Sequence, residues 1–117
     1  MYKLSIKRVY ETYSRYDNYR ILVDRLWPRG ISKEKAHVET WLRDVAPSDS
    51  LREWFAHDPA KWKEFMKRYR KEVVDSKAFS DLLAIIQKKK KVTLVYGAKD
   101  TLHNQAVALK LFLEERL

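Results

Sequence analysis

Residues 92–97 read Val-Thr-Leu-Val-Tyr-Gly, and residues 20–30 read Arg-Ile-Leu-Val-Asp-Arg-Leu-Trp-Pro-Arg-Gly. The first stretch is almost wholly apolar and rich in β-branched and aromatic residues, which favour a strand. The second carries Ile21, Leu22 and Val23 and halts at Pro28-Arg29-Gly30, a strand with a sharp stop. Continuous apolar strands belong to sheets covered on both faces. The two segments are separated by far more chain than a crossover needs, so they are expected to be parallel neighbours in one sheet. Lys3 to Tyr10 alternates well enough for another strand. Its short link to the second, Glu11 to Tyr19, fits either a hairpin or a parallel crossover without a helix.

Between these strands the apolar spacing is helical. Ser32 suits the cap of a helix presenting Val38, Trp41, Leu42 and Val45 on one face. Pro47-Ser48 opens a short helix with Leu51, Trp54 and Phe55. Asp58-Pro59 reads as an N-cap followed by proline in the first turn. That helix runs to about Val74 with Trp62, Phe65, Met66, Tyr69 and Val73 inward. Ser76 starts another, with Phe79, Leu82, Leu83 and Ile86. Asp100 or Thr101 is positioned to cap a last helix bearing Leu102, Ala106, Leu109 and Leu113. The expected fold is α/β, a small and mainly parallel open sheet of about three strands with helices on both faces, built from residues 1–117 as one unit.

Composition narrows the function classes. The chain has 117 residues, 45% hydrophobic and 35% charged, with no cysteine. That excludes a disordered tail, a disulfide scaffold and thiol chemistry. The longest unbroken apolar run, Leu82 to Ile86, is too short to span a bilayer, and the N-terminus has no secretory pattern. The expectation is a cytoplasmic protein that does not enter membranes. Lys and Arg total 25 against 16 acidic residues, a net charge of +9, which attracts anions and polyanions.

Three stretches carry a family resemblance. Arg20–Gly30 is joined by residues 46–73, APSDSLREWFAHDPAKWKEFMKRYRKEV, and by residues 92–113, VTLVYGAKDTLHNQAVALKLFL. In this order they resemble the family of unknown function numbered 488, in its YeaO-like branch. The resemblance implies an α/β fold and a bacterial or archaeal cytoplasmic origin, and it brings no established activity.

Open α/β sheets bind ligands beyond the carboxyl ends of their parallel strands. Asp24, Arg25 and Arg29 end one strand here. Lys99 and Asp100 end the other, followed by His103 and Asn104 in what reads as the first turn of the last helix. Arginine grips phosphate or carboxylate with paired hydrogen bonds, lysine adds a mobile charge, and a helix N-terminus favours an anion. The candidate pocket therefore holds a small anion through Arg25, Arg29 and Lys99, with His103 and Asn104 as further ligand contacts and Trp27 as a wall. Asp24, His57 and Asp100 are the acid–base candidates if the pocket performs chemistry, a point the sequence leaves open.

Other chemistries lack their residues. The serines have no nucleophile elbow, and two glycines cannot build a phosphate loop. His57-Asp58 resembles the pair in metal-dependent phosphohydrolases, but His37 and His103 do not complete metal-ligand spacing, and Asp58 is better used as a cap. No metal or cofactor is expected. The alternative is a non-catalytic nucleic-acid-binding module. It would use the basic face of the helix at 58–74, with Lys63, Lys67 and Arg70, and a loop in which Tyr10, Tyr13, Tyr16 and Tyr19 alternate with arginines.

Overall fold

The computed structural model describes residues 1–117. Four strands form one sheet: β1 (Lys3–Arg8), β2 (Tyr19–Leu22), β3 (Thr40–Trp41) and β4 (Lys91–Tyr96). Their spatial order is β1-β4-β2-β3, and every neighbouring pair is parallel. The parallel pairing expected from the two apolar segments is present, with Ile21 opposite Leu94 and Leu22 opposite Val95. β4 lies between β1 and β2, which explains its continuous apolar run, since both of its faces must be covered. Val92, Leu94, Val95 and Tyr96 are all at most 2% exposed. β1 pairs with β4 rather than β2, so the link between the first two strands is a parallel crossover without a long helix.

Helices flank the sheet unequally. The longer ones, α2 (Asp49–Phe55), α3 (Trp62–Val73), α4 (Lys77–Lys89) and α5 (Gln105–Glu114), build the main core with Ile21, Val23, Val92, Leu94 and Tyr96. The other face is closed by a single turn, α1 (Lys33–Ala36), and by loops, around a small cluster of Val9, Leu22, Ala36 and Val95. Trp27, Ile31, Val38 and Trp41 pack over that cluster.

Three local expectations are corrected. Ser32 does cap a helix, accepting from the Lys35 N–H at 3.2 Å, but the helix ends after one turn because His37 is left-handed at φ 50°. The chain then becomes β3, a strand beyond the three expected, and Glu39 and Leu42 donate their N–H groups to the Arg20 and Leu22 carbonyls. Val38 and Trp41 serve one core and Leu42 and Val45 the other, which a single helix face cannot do. Asp58 caps only a 3-10 turn, Pro59–Lys61, and α3 proper begins at Trp62. The last helix begins later than expected. Asn104 caps it, accepting from the Ala106 and Val107 N–H groups at 2.9 and 3.0 Å, and Leu102 is left 69% exposed.

Candidate functional site

The carboxyl ends of β2 and β4 adjoin because the strands are parallel neighbours. Asp24 stands between them just past the end of β2. Its Oδ2 accepts from the Gly97 N–H at 2.9 Å, and its Oδ1 accepts from Gln105 Nε2 at 2.5 Å. Burial nevertheless pushes this carboxyl up to about 6, since the two hydrogen bonds only partly offset its removal from water. Gly97 leaves room for this approach. A Cβ there would come within 2.9 Å of Asp24 Oδ2 and 3.4 Å of Pro28 Cβ.

Two clefts meet at Asp24 and Leu26. The first is a cavity of about 210 Å³ whose polar lining is Asp24, Arg25, Arg52, His57, Asn104 and Gln105, set against Phe55, Phe65 and neighbouring apolar residues. The second is a shallower groove of about 600 Å³ lined by Arg8, Tyr10, Trp27, Pro28, Arg29, Gly97 and Lys99 in addition. Arg29 and Lys99 thus share the groove, while Arg25 lies on the other side of Asp24, in the cavity. Backbone carbonyls hold Arg25 in place: its Nε donates to Pro47 O at 3.2 Å and its Nη2 to Ala46 O at 3.0 Å. Arg8 is fixed in the same way on Ala98 O and Gly97 O, at 2.8 and 3.3 Å. Arg29 and Lys99 are exposed.

The remaining candidates divide. Asp100 accepts the Leu102 and His103 N–H groups at 2.9 and 3.0 Å and faces His103 Nδ1 at 2.9 Å. The Leu102 N–H and the His103 side chain together hold its carboxyl below the usual carboxylate range. Asp100 and His103 therefore engage each other, and neither lines the cavity or the groove. Asn104 is buried and lines the cavity, yet its Oδ1 occupies two of the α5 N–H groups expected to face an anion. His57 lines the cavity from a turn in which both Ala56 and His57 have positive φ, 46° and 56°. No group of three or more His, Asp or Glu side chains is placed to hold a metal ion.

On α3, Lys63, Lys67 and Arg70 are exposed, but Arg70 is gripped by Glu115 through two bonds of 2.6 and 2.8 Å. Arg68 is paired with Glu64 at 3.0 Å. Sequence reasoning missed Arg52 and Gln105, which carry no motif, and Leu26, which sits at the rim of both clefts. Arg8 and Tyr10 stood out only as members of the tyrosine–arginine alternation. The position of Gly97 directly after an apolar strand was the one available sign of a close approach.

A family model, that of the inactive DUF488-N3 subclade, matches residues 3–117. The chain belongs to the DUF488 family. It is 40% identical over 106 residues to the uncharacterized protein YeaO of Escherichia coli strain K12, covering 91% of this chain and 92% of that one. It is 39% identical over 114 residues to the uncharacterized protein Rv3073c of Mycobacterium tuberculosis strain H37Rv, covering 97% and 96%. No solved structure matches the chain. This DUF488 chain also has no helix long and apolar enough to cross a membrane.

Proposed function

We propose that this protein binds a small phosphate- or carboxylate-bearing anion at the carboxyl end of its sheet, and holds it without transforming it. One observation carries the reading. Arg8, Arg25, Arg29, Arg52 and Lys99 line two adjoining concavities in which Asp24 is the only carboxylate. A concave wall of one charge sign concentrates ligands of the other sign. Asp24 opposes such a ligand at neutral pH, where a carboxyl raised to about 6 is still mostly ionised, and sheds that charge as the pH falls through about 6.

The distribution of the acid–base candidates supports binding over catalysis. General acid–base work needs a group within hydrogen-bond reach of the reacting atom. Both Asp24 oxygens already hold donors, Asp100 is committed to His103, and His57 is exposed with its ring 6.2 Å from that of Phe55. The word inactive in the description of the matching subclade agrees with this reading.

Thermal unfolding tests it. A ligand that binds only the folded form at about one hundred times its Kd stabilises by about 2.7 kcal/mol. Inorganic phosphate should therefore raise the melting temperature by on the order of 10 °C at saturation. Arg29→Ala or Lys99→Ala should remove most of that rise, while Lys88→Ala, an exposed cation on α4, should keep it. An equal rise in all three variants, or in chloride at matched ionic strength, would overturn the proposal.

A further inference from the structure

The crossover between β1 and β2 carries three tyrosines that the anion site leaves unexplained. Tyr10, Tyr13 and Tyr16 are 41%, 42% and 69% exposed. Each ring has an arginine beside it: Arg8 at 4.8 Å, Arg20 at 5.5 Å and Arg15 at 5.0 Å respectively. The middle ring also stacks on exposed His37, with centroids 3.8 Å apart and planes 14° apart. The exposed part of each ring adds nothing to a core, and three such rings in one loop make an aromatic surface, most open at Tyr16.

The loop's path arranges them. β1 and β2 both run parallel to β4, so a link from the end of one to the start of the other must return along the sheet. At about 3.3 Å per residue, a strand of this length spans roughly 20 Å. Tyr10 therefore lies at the carboxyl edge, in the Arg29–Lys99 groove, and Tyr16 near the amino edge, beside the Asp17 carbonyl that accepts from Thr93 Oγ1 at 2.7 Å. The line is also held rigid. Tyr10 donates its hydroxyl to Arg29 O at 2.6 Å. Asp17 is clamped by Lys7 at 3.1 Å and by fully buried Arg20 at 2.6 Å, and Ser14 caps the 3-10 turn Arg15–Asp17. The loop's other acid, Glu11, is occupied by the Arg8 N–H at 2.9 Å.

We propose that this face binds single-stranded nucleic acid, with bases against Tyr10 and Tyr16 at its two ends and the sugar–phosphate backbone entering the groove at Arg29 and Lys99. The inference rests on that groove taking a phosphate group, and it makes the phosphate part of a polymer backbone rather than of a small free anion. Aromatic faces accept any unpaired base, and the exposed cations Arg15, Arg29 and Lys99 neutralise the backbone, whereas Arg20 is buried against Asp17 and Ala36 and takes no part. A free nucleotide would meet only the Tyr10 end, whereas a strand spans both ends. A duplex keeps its base faces stacked inside and has none to offer.

Fluorescence anisotropy with a labelled oligothymidylate of about 12 nucleotides, within the usual site sizes, tests this. Tyr16→Ala and Tyr10→Ala should each weaken binding by between about fivefold and a hundredfold, the loss typical of one stacked base. Tyr16→Phe should restore it, because the ring and not the hydroxyl is used. Arg29→Ala and Lys99→Ala should each lower the slope of log affinity against log salt by about 0.7. Glutamine at Lys63, Lys67 and Arg70 together should change little. No binding of the single strand, equal binding of the duplex, indifference to Tyr16→Ala, or loss on changing the α3 lysines would each overturn the inference. Competition by thymidine monophosphate as strong as by the oligonucleotide would do the same. A phosphate response without oligonucleotide binding sinks this inference alone; oligonucleotide binding indifferent to both Arg29 and Lys99 sinks the groove as an anion site with it.

Discussion

Replacing Asp24 by asparagine should stabilise the protein above neutrality and abolish one component of its pH dependence. The wild-type carboxyl is raised from its ordinary 3.8 to about 6 by burial. At about 1.4 kcal/mol per pH unit, the ionised side chain costs the folded state about 3 kcal/mol at most. The sign follows from proton counting. Below about pH 3.8 both folded and unfolded chains carry the proton, and the cost is absent. Between there and about pH 6 the folded chain holds a proton that the unfolded chain has lost, so stability falls as pH rises; above that the full cost persists. Asparagine is uncharged throughout and keeps the geometry, since its carbonyl can accept from the Gly97 N–H while Gln105 turns its amide to accept from the new NH₂. Urea unfolding of both proteins from about pH 4 to about pH 7.5, in buffer free of phosphate and sulfate, measures the difference. That difference should grow in favour of Asp24→Asn by up to about 3 kcal/mol and then level off. Other titrating groups act in both proteins and cancel. A difference that stays flat, or that grows in favour of the wild type, would refute the assignment of a raised, buried carboxyl at this position.

The remaining predictions follow from the same contacts. Gly97→Ala should cost about 1.5–3 kcal/mol in urea unfolding, because the new methyl displaces the Asp24 carboxylate from its N–H donor. Asp17→Ala should cost about 3–5 kcal/mol, enough to unfold a marginal domain, since Arg20 is fully buried and would keep only the Ala36 carbonyl at 2.8 Å. Leu94→Ala, at the centre of the sheet, should cost about 2–5 kcal/mol through lost burial and a cavity. Affinity for sulfate, a phosphate analogue that keeps its charge over this range, should rise as pH falls through about 6, when Asp24 gains its proton. Measured in a His57→Gln background, which leaves Asp24 as the one carboxylate or imidazole lining the cavity, that rise should vanish on adding Asp24→Asn.

The parts of the fold legible in the sequence are those where burial dictates residue type. Val92–Tyr96 had to be apolar on both faces because it occupies a central position, and its parallel pairing with Ile21 and Leu22 follows from the length of chain between them. The two-residue strand Thr40–Trp41 was not legible. Val38, Trp41, Leu42 and Val45 have helical spacing, but they divide between the two cores, and only tertiary pairing with β2 selects the strand. The start of α5 was misplaced because Asp100 and Asn104 are equally good caps by type. Asp100 instead closes a turn on Leu102 and His103, and Asn104 caps the helix. Strand ends put the candidate residues on one edge of the sheet, since topology alone sets that edge. Its division into two clefts was not foreseeable. It depends on Arg25 reaching carbonyls of a distant loop at Ala46 and Pro47, and on Gln105 reaching Asp24.

The most direct test of the anion site is a phosphate titration followed by amide chemical shifts at constant ionic strength. Saturable changes should concentrate on residues 24–30 and 97–105, which frame the two clefts, and should disappear in Arg29→Ala combined with Lys99→Ala. Shifts that fail to saturate, or that gather along the exposed face of α3 at Lys63 and Lys67 instead, would contradict an anion site at the carboxyl ends of β2 and β4.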